Sequence, residues 1–207
     1  MSSKREVQIS KALSLLLRHS AVKENIEIDQ DGFVLLDTIL NHNRIKTHKA
    51  TLEEIKSIVE NNDKKRFRIE TRGDQLYICA NQGHTIKEVG EGNLTQLVNL
   101  EDFPSVIIHG TYKKHLPLIM KTGLSRMGRN HIHFTFEETN ESKVISGMRK
   151  GCNALIYLDI PKCIESGLQF YKSSNNVILC AGNDKGFISP DLFLKVVDRS
   201  GNVLEAE

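Results

Sequence analysis

The hydrophobic positions at the start of the chain fall on one helical face. Ile9, Ala12, Leu13, Leu16 and Leu17 follow at i, i+3, i+4, i+7 and i+8, the spacing that lines one stripe of an α-helix. Arg18 and His19 close its last turn, where cations also complement the helix macrodipole, a purely structural reason for their presence. Asp29-Gln30-Asp31-Gly32 carries turn chemistry, and Phe33-Val34-Leu35-Leu36 before Ile39-Leu40 predicts a short strand running into a helix. A third helix is predicted over residues 51–59, with Leu52, Ile55, Ile58 and Val59 on one side. The period then changes to two. Phe67 and Ile69 alternate before Arg72-Gly73-Asp74, and Leu76, Ile78 and Ala80 alternate after it, which predicts two strands around a glycine turn.

Helices followed by a β-hairpin predict a winged-helix-like lobe, a shape common among nucleic-acid-binding proteins. Lys64-Lys65-Arg66-Phe67-Arg68 opens its wing, and such a run is either a solvated face or a phosphate contact. From Asn81 to Pro104 the periodicity fades and Gly83, Gly90 and Gly92 punctuate the chain, so this stretch reads as a connection, with the boundary near 95–103. Beyond it, Val106 to Thr111 reads as a buried strand, and a helix near Leu116–Lys121 is stopped by Gly123. Further strands are predicted over 131–135, 154–160, 177–180 and 192–197, with a helix over 141–150. Many short strands with few helices predict an α+β fold with a strongly twisted sheet. The expected organisation is two lobes, residues 1–95 and 103–207.

Composition narrows the partners. With 207 residues, 39% hydrophobic and 26% charged, this is ordinary globular stock. A net charge of +2 and a pI near 8.3 fall short of binding nucleic acid by bulk electrostatics, so a polyanion must be met by a local patch. No apolar run approaches the ~18 residues of a membrane span, and Met1-Ser2-Ser3-Lys4-Arg5 leads into a polar helix, so a cytoplasmic protein without membrane association is expected. Cys79, Cys152, Cys163 and Cys180 form no C-x-x-C pair and read as reduced, partly buried thiols. No heptad seam announces an obligate protein partner.

The candidate chemistry lies in arginines and histidines. Arginine's planar fork matches phosphate oxygens two at a time, and histidine adds a donor or exchanges a proton near neutral pH. Leu17-Arg18-His19 and Met127-Gly128-Arg129-Asn130-His131-Ile132-His133 concentrate both. His131 and His133 share a strand face, but no third ligand stands at useful spacing, so no metal site is expected. G-x-G-x-x-G, G-x-x-x-x-G-K-[ST] and G-x-S-x-G motifs are all missing. What remains is a set that positions phosphates and stabilises charge without an obvious protein nucleophile. That profile fits a reaction in which the substrate supplies the nucleophile.

These residues resemble a known family. Lys11-Ala12-Leu13-Ser14-Leu15-Leu16-Leu17-Arg18-His19, Asp31-Gly32-Phe33-Val34, Lys65-Arg66-Phe67, Gln82-Gly83-His84, His109-Gly110-Thr111 and Met127 to His133 occur in the order seen in NAD-dependent RNA 2′-phosphotransferases. The likeness runs from about residue 8 to residue 197. It implies an N-terminal winged-helix RNA lobe and a C-terminal ADP-ribosyltransferase-like lobe, with the reaction in the cleft between them. The implied substrate is RNA bearing an internal 2′-phosphate, typically tRNA, and the co-substrate is NAD. In the implied first step the 2′-phosphate attacks C1″ of the nicotinamide ribose and expels nicotinamide, giving a 2′-phospho-ADP-ribosylated RNA. In the second, O2″ attacks phosphorus, releasing 2′-hydroxyl RNA and ADP-ribose 1″,2″-cyclic phosphate.

By the same resemblance, the catalytic set is Arg18, His19, Arg66 and Arg129. The arginines hold the phosphate, and His19 donates to a phosphate oxygen or protonates the departing RNA O2′. His109, Gly110, Thr111 and His133 match NAD-gripping positions, with Gly110 expected to let a ligand near the backbone. Gly123 and Leu124 are expected to shape the nicotinamide ribose pocket, and His131 has no assigned role. One departure stands out: many relatives carry arginine where this chain has Cys79. Two other functions fit the same residues. One is an ADP-ribosyltransferase acting on terminal phosphates of nucleic acids; the other is a catalytically silent winged-helix nucleic-acid-binding protein.

Overall fold

In the computed structural model, which describes residues 3–136 and 147–204, the first helix, α1 (Lys4–Leu15), begins at Ser3. The Ser3 side chain accepts from the Glu6 amide and the Glu6 carboxylate accepts from the Ser3 amide, satisfying two donors that a helix start leaves open. Ile9, Leu13, Leu16 and Leu17 are fully buried, as the stripe predicts. The regular helix stops short of the motif, however: Leu16–Ser20 form a π-helical turn, closed by the Ala21 amide donating to the Leu16 carbonyl at 2.9 Å. Arg18 and His19 therefore project from a widened turn, not from the last turn of an α-helix. Such single turns recur at functional sites.

The rest of the first unit follows the predicted order, with one further short helix that the pattern did not announce. Strand β1 (Phe33–Leu35) leads into α2 (Leu36–Asn41), then α3 (Asn43–Lys46), α4 (Leu52–Asn61) and the hairpin β2 (Phe67–Arg72) and β3 (Gln75–Ala80). A capping box of Thr51 and Glu54 starts α4. Gly73, at φ +64°, makes the hairpin turn with a backbone that L side chains rarely adopt. The sheet order is β1-β3-β2, antiparallel throughout. Phe67, Ile78 and Ala80 pack from the sheet onto the α1 stripe and onto Ile39, Ile45 and Ile55. The stretch from Asn81, read as a connection, contributes to this core through Ile86 and Val89. Two anchors in an irregular segment leave no periodic trace.

The chain divides after Asn93 into two compact units, Met1–Asn93 and Leu94–Glu207. The second contains β4 (Thr95–Leu97), β5 (Ile108–Thr111), α5 (Leu116–Thr122), β6 (Leu124–Ser125), β7 (Ile132–Phe134) and β8 (Ala154–Leu158). It continues with α6 (Ile160–Glu165), β9 (Phe170–Lys172), β10 (Ile178–Cys180), β11 (Phe187–Ile188) and β12 (Phe193–Val197). Antiparallel sheets β4-β9-β10-β7 and β12-β8-β5 are joined where Ile108 and Thr135 exchange backbone hydrogen bonds of 2.8 and 2.9 Å. Phe134, Phe170, Ile156 and Ile178 form the centre of its core. The strand predicted to reach residue 160 ends at Leu158, because Asp159 caps α6 and proline follows in its first turn. Most of the helix predicted over 141–150 lies outside the described residues, and residues 147–150 form no helix.

The fold is α+β. Among the described residues no helix is long and apolar enough to cross a membrane. The cysteines are free and buried, and burial pushes the Cys79 thiol up to about 12.

Gly123 ends α5 at φ +93°, its amide donating to the Ile119 carbonyl at 2.8 Å, and a Cβ there would lie 2.6 Å from the Ile188 carbonyl oxygen. Gly123→Ala is expected to destabilise the protein by roughly 1–3 kcal/mol, through overpacking and a left-handed backbone. Urea unfolding measures it.

Candidate active site

Arg18 and His19 are held by the segment Gln82-Gly83-His84-Thr85. The Thr85 amide donates to the Arg18 carbonyl at 2.8 Å, and the Thr85 hydroxyl lies 3.3 Å from that oxygen and 3.1 Å from His19 Nδ1. A hydroxyl has one proton. With it on the Arg18 carbonyl, Oγ1 accepts from His19 Nδ1–H, which fixes the orientation of the ring. Gly83, at φ +87°, lays its bare face along Arg18: a Cβ there would sit 3.6 Å from Cδ, Nε and Cζ. His84 in turn packs on Gly32, where a Cβ would be 3.1 Å from its Nε2. Three of the short motifs singled out above thus meet in the first unit.

Arg66 is positioned by Asn62, a buried residue just past α4. The Asn62 side-chain oxygen accepts from the Lys64 amide at 3.2 Å, the Arg66 amide at 3.3 Å and Arg66 Nη1 at 3.1 Å. Asn81 holds the other side, its side chain donating to the Lys65 carbonyl at 2.5 Å and its amide to the Arg66 carbonyl at 2.9 Å. Burial lowers the pKa of Arg66, against the attraction of Asp63. An arginine remains a cation regardless. The desolvation, which Asp63 offsets only in part, favours an arriving anion. His19 and Arg66 line one cavity of about 350 Å³ between α1 and α4.

In the second unit Arg129 lies in the loop between β6 and β7, its amide donating to the Arg126 carbonyl at 3.2 Å. Burial and then the cation of Arg149 lower its pKa. A bound anion would relieve both. His109, on β5, has Nδ1 2.8 Å from the His133 carbonyl oxygen, so Nδ1 carries the proton and donates. Burial is the largest influence on this ring, with Arg149 adding to it, and together they outweigh the hydrogen bond and hold its pKa below the ordinary 6.5. His109 is then neutral at pH 7, and its Nε2 is an acceptor. Thr111 and His133 are buried on β5 and β7.

Two expected roles acquire other physical reasons. A Cβ at Gly110 would lie 2.5 Å from Met148 Cγ and 2.7 Å from Cys152 Sγ, so packing within the unit already demands glycine there. Leu124 points into the core with Ile188 and Leu116; only its backbone is left to meet a ligand. His131 stands edge-on to Tyr171, with ring centroids 6.2 Å apart. Cys79 pairs with Phe33 and Arg68 across the sheet, and Arg72 stacks 4.2 Å above the Phe33 ring. Beside Cys79 that sheet face carries Arg68 and Arg72, paired with Glu70 and Asp29. Sequence reading missed Asn62, Asn81 and Thr85. Their only signals were an asparagine four residues before Arg66 and hydroxyl and amide residues flanking Gln82-Gly83-His84.

Fixed cations and an oriented imidazole are groups suited to phosphate oxygens, and the fold that carries them is α+β. The sequence profile described as RNA 2′-phosphotransferase, Tpt1 / KptA family, matches residues 4–182, and the chain belongs to that family. The tRNA 2′-phosphotransferase of Saccharomyces cerevisiae is 42% identical to it, over 99% of this chain and 88% of its own. The tRNA 2′-phosphotransferase 1 of Homo sapiens is 40% identical over 91% of this chain and 74% of its own. A probable RNA 2′-phosphotransferase of Rhodopirellula baltica is 35% identical over 86% and 92%.

Thr85→Val removes the hydroxyl that orients His19. It is expected to lower turnover about tenfold, the worth of one hydrogen bond of about 1.4 kcal/mol, with little change in melting temperature. Steady-state kinetics with a melting scan checks this. For His109 the folded pKa lies below the unfolded value of 6.5, so the unfolded chain takes up its proton first. The resulting loss of stability is absent well above pH 6.5, grows as pH falls through 6.5, and levels off below the folded pKa. In urea unfolding between pH 7.5 and 5, His109→Gln is expected to flatten this part of the pH dependence.

Proposed function

We propose that the protein removes an internal 2′-phosphate from spliced RNA, typically tRNA, by transferring it to NAD, leaving 2′-hydroxyl RNA, nicotinamide and ADP-ribose 1″,2″-cyclic phosphate. The observation that carries this reading is the shared cavity of His19 and Arg66, each side chain held by its own neighbour, Thr85 or Asn62. The names of the relatives at 35% to 42% identity point the same way.

Arg18, Arg66 and Arg129 hold the phosphate oxygens and offset charge as phosphorus is attacked. His19 in its doubly protonated form, with Nδ1–H on Thr85, uses Nε2–H to donate to a phosphate oxygen or to protonate the departing RNA O2′. NAD, when bound, supplies an electrophilic ribose carbon with nicotinamide as its leaving group. The residues of β5 and β7 fit such a co-substrate: the neutral His109 Nε2 accepts from a ribose hydroxyl, and Thr111 and His133 add polar groups on the same strands. Gly110 keeps Met148 and Cys152 packed beneath β5, and the backbone of Gly123 and Leu124 borders the ribose.

On this reading the first unit is a winged-helix RNA lobe, supported by its helices and three-stranded sheet with the β2–β3 hairpin. The second is an ADP-ribosyltransferase-like lobe, supported by its two joined antiparallel sheets.

The test is a short RNA with one internal 2′-phosphate, incubated with and without NAD while RNA and nicotinamide are followed together. Conversion to 2′-hydroxyl RNA is expected only with NAD. Arg129→Ala is expected to lower the rate by about a hundredfold or more, the usual scale for a lost charge-stabilising donor, without unfolding the protein. A persistent ADP-ribosylated RNA would identify a one-step transferase instead, and no NAD-dependent change would identify a binding protein.

A further inference from the structure

The cavity shared by His19 and Arg66 continues past them between α1 and α4, and the proposed chemistry uses one end of it. Ser10 and Ser14, one helical turn apart on α1, line it with Ser57 and Asn61 of α4. Small side chains where two helices face each other leave a groove that leucines would fill. The lining mixes apolar side chains, Val7, Leu15 and Ile58, with polar ones: three hydroxyls, an amide and Lys11. Asn61 donates to Ser57 Oγ at 3.2 Å, and its side-chain oxygen is an acceptor. An apolar partner helix would leave these groups unsatisfied, whereas a sugar or base would satisfy them.

Charge gives the groove a direction. Arg66 and Lys11 are the cations along it, and Glu6 stands at its far end with its carboxylate bound to the Ser3 amide at 2.6 Å. Lys11 precedes His19 by eight residues, roughly two helical turns. A second phosphate is attracted near Lys11 and repelled beyond it.

We propose that this groove is a subsite for the nucleotide adjoining the 2′-phosphorylated residue, with Lys11 on its phosphodiester and Ser10, Ser14, Ser57 and Asn61 hydrogen-bonded to its sugar or base. The inference rests on the phosphotransferase reading above and adds to it a device for selecting internal 2′-phosphates, since a substrate without a flanking nucleotide leaves the groove empty. Contacts to the reacting phosphate come from one end; selection comes from the other.

The test compares two substrates that both carry the reacting 2′-phosphate, a short RNA with it at an internal position and a single nucleoside with no flanking nucleotide. Lys11→Ala is expected to raise KM for the RNA about fivefold, the worth of about 1 kcal/mol for one phosphate contact. It is also expected to reduce the slope of log KM against log salt by about 0.7. Ser14→Leu, which fills the groove, is expected to raise that KM at least as much, with its fold checked by a melting scan. For both variants kcat and KM for NAD stay at wild-type values, and on the nucleoside both match wild type. Wild-type turnover with an unchanged RNA KM in Lys11→Ala, or equal effects on both substrates, overturns the subsite alone. Wild-type protein that converts neither substrate overturns the phosphotransferase reading and the subsite with it.

Discussion

The site depends on a widened turn in which two consecutive leucines enter the core and the next two residues leave it. Leu16 and Leu17 are both fully buried, and the hydrogen bond from Ala21 back to Leu16 opens the helix by one residue at that point. Arg18 and His19 are thereby directed away from the stripe that holds α1 in place. Thr85 closes the arrangement from a segment far along the chain, using its amide and its hydroxyl on the same turn. Core packing and site geometry are one constraint here: a change in how the leucines seat also turns the imidazole.

The two units use opposite electrostatic devices. In the first, a cation is desolvated and held by neutral groups: Asn62 orients the Arg66 guanidinium through an amide oxygen, so its charge is not neutralised by the residue that positions it. A half-buried arginine held this way gains from an anion more than a solvated one does. In the second, burial and a nearby arginine keep His109 neutral, and its hydrogen bond to the His133 carbonyl selects which nitrogen is left to accept. Charged donors suit phosphate oxygens, and a neutral acceptor suits sugar hydroxyls. The chemistry assigned to each unit follows that division.

Much of this was visible in the order of residues. The buried stripe of α1, the hairpin around Gly73, α4, α5 and the strands at Ile132–Phe134 and Ile178–Cys180 all follow local periodicity. The resemblance of short motifs to the family marked Arg18, His19, Arg66 and Arg129, residue types that carry their chemistry in their side chains. Gly110 shows the limit of such reading. A glycine in a polar triplet suggested room for a ligand, yet Met148 and Cys152, some forty residues on, occupy the space a side chain would take.

What the sequence determined by itself is therefore many of the elements and the kind of chemistry, since helix and strand periods and side-chain functional groups are properties of neighbouring residues. Only the tertiary structure decided that Leu16–Ser20 widen, that Thr85 and Asn62 hold the side chains of His19 and Arg66, that residues 81–93 contribute to the first core, and that a groove runs on between α1 and α4. Each of those outcomes depends on contacts between segments distant in the chain, where packing volume and hydrogen-bond partners, not local pattern, select the conformation.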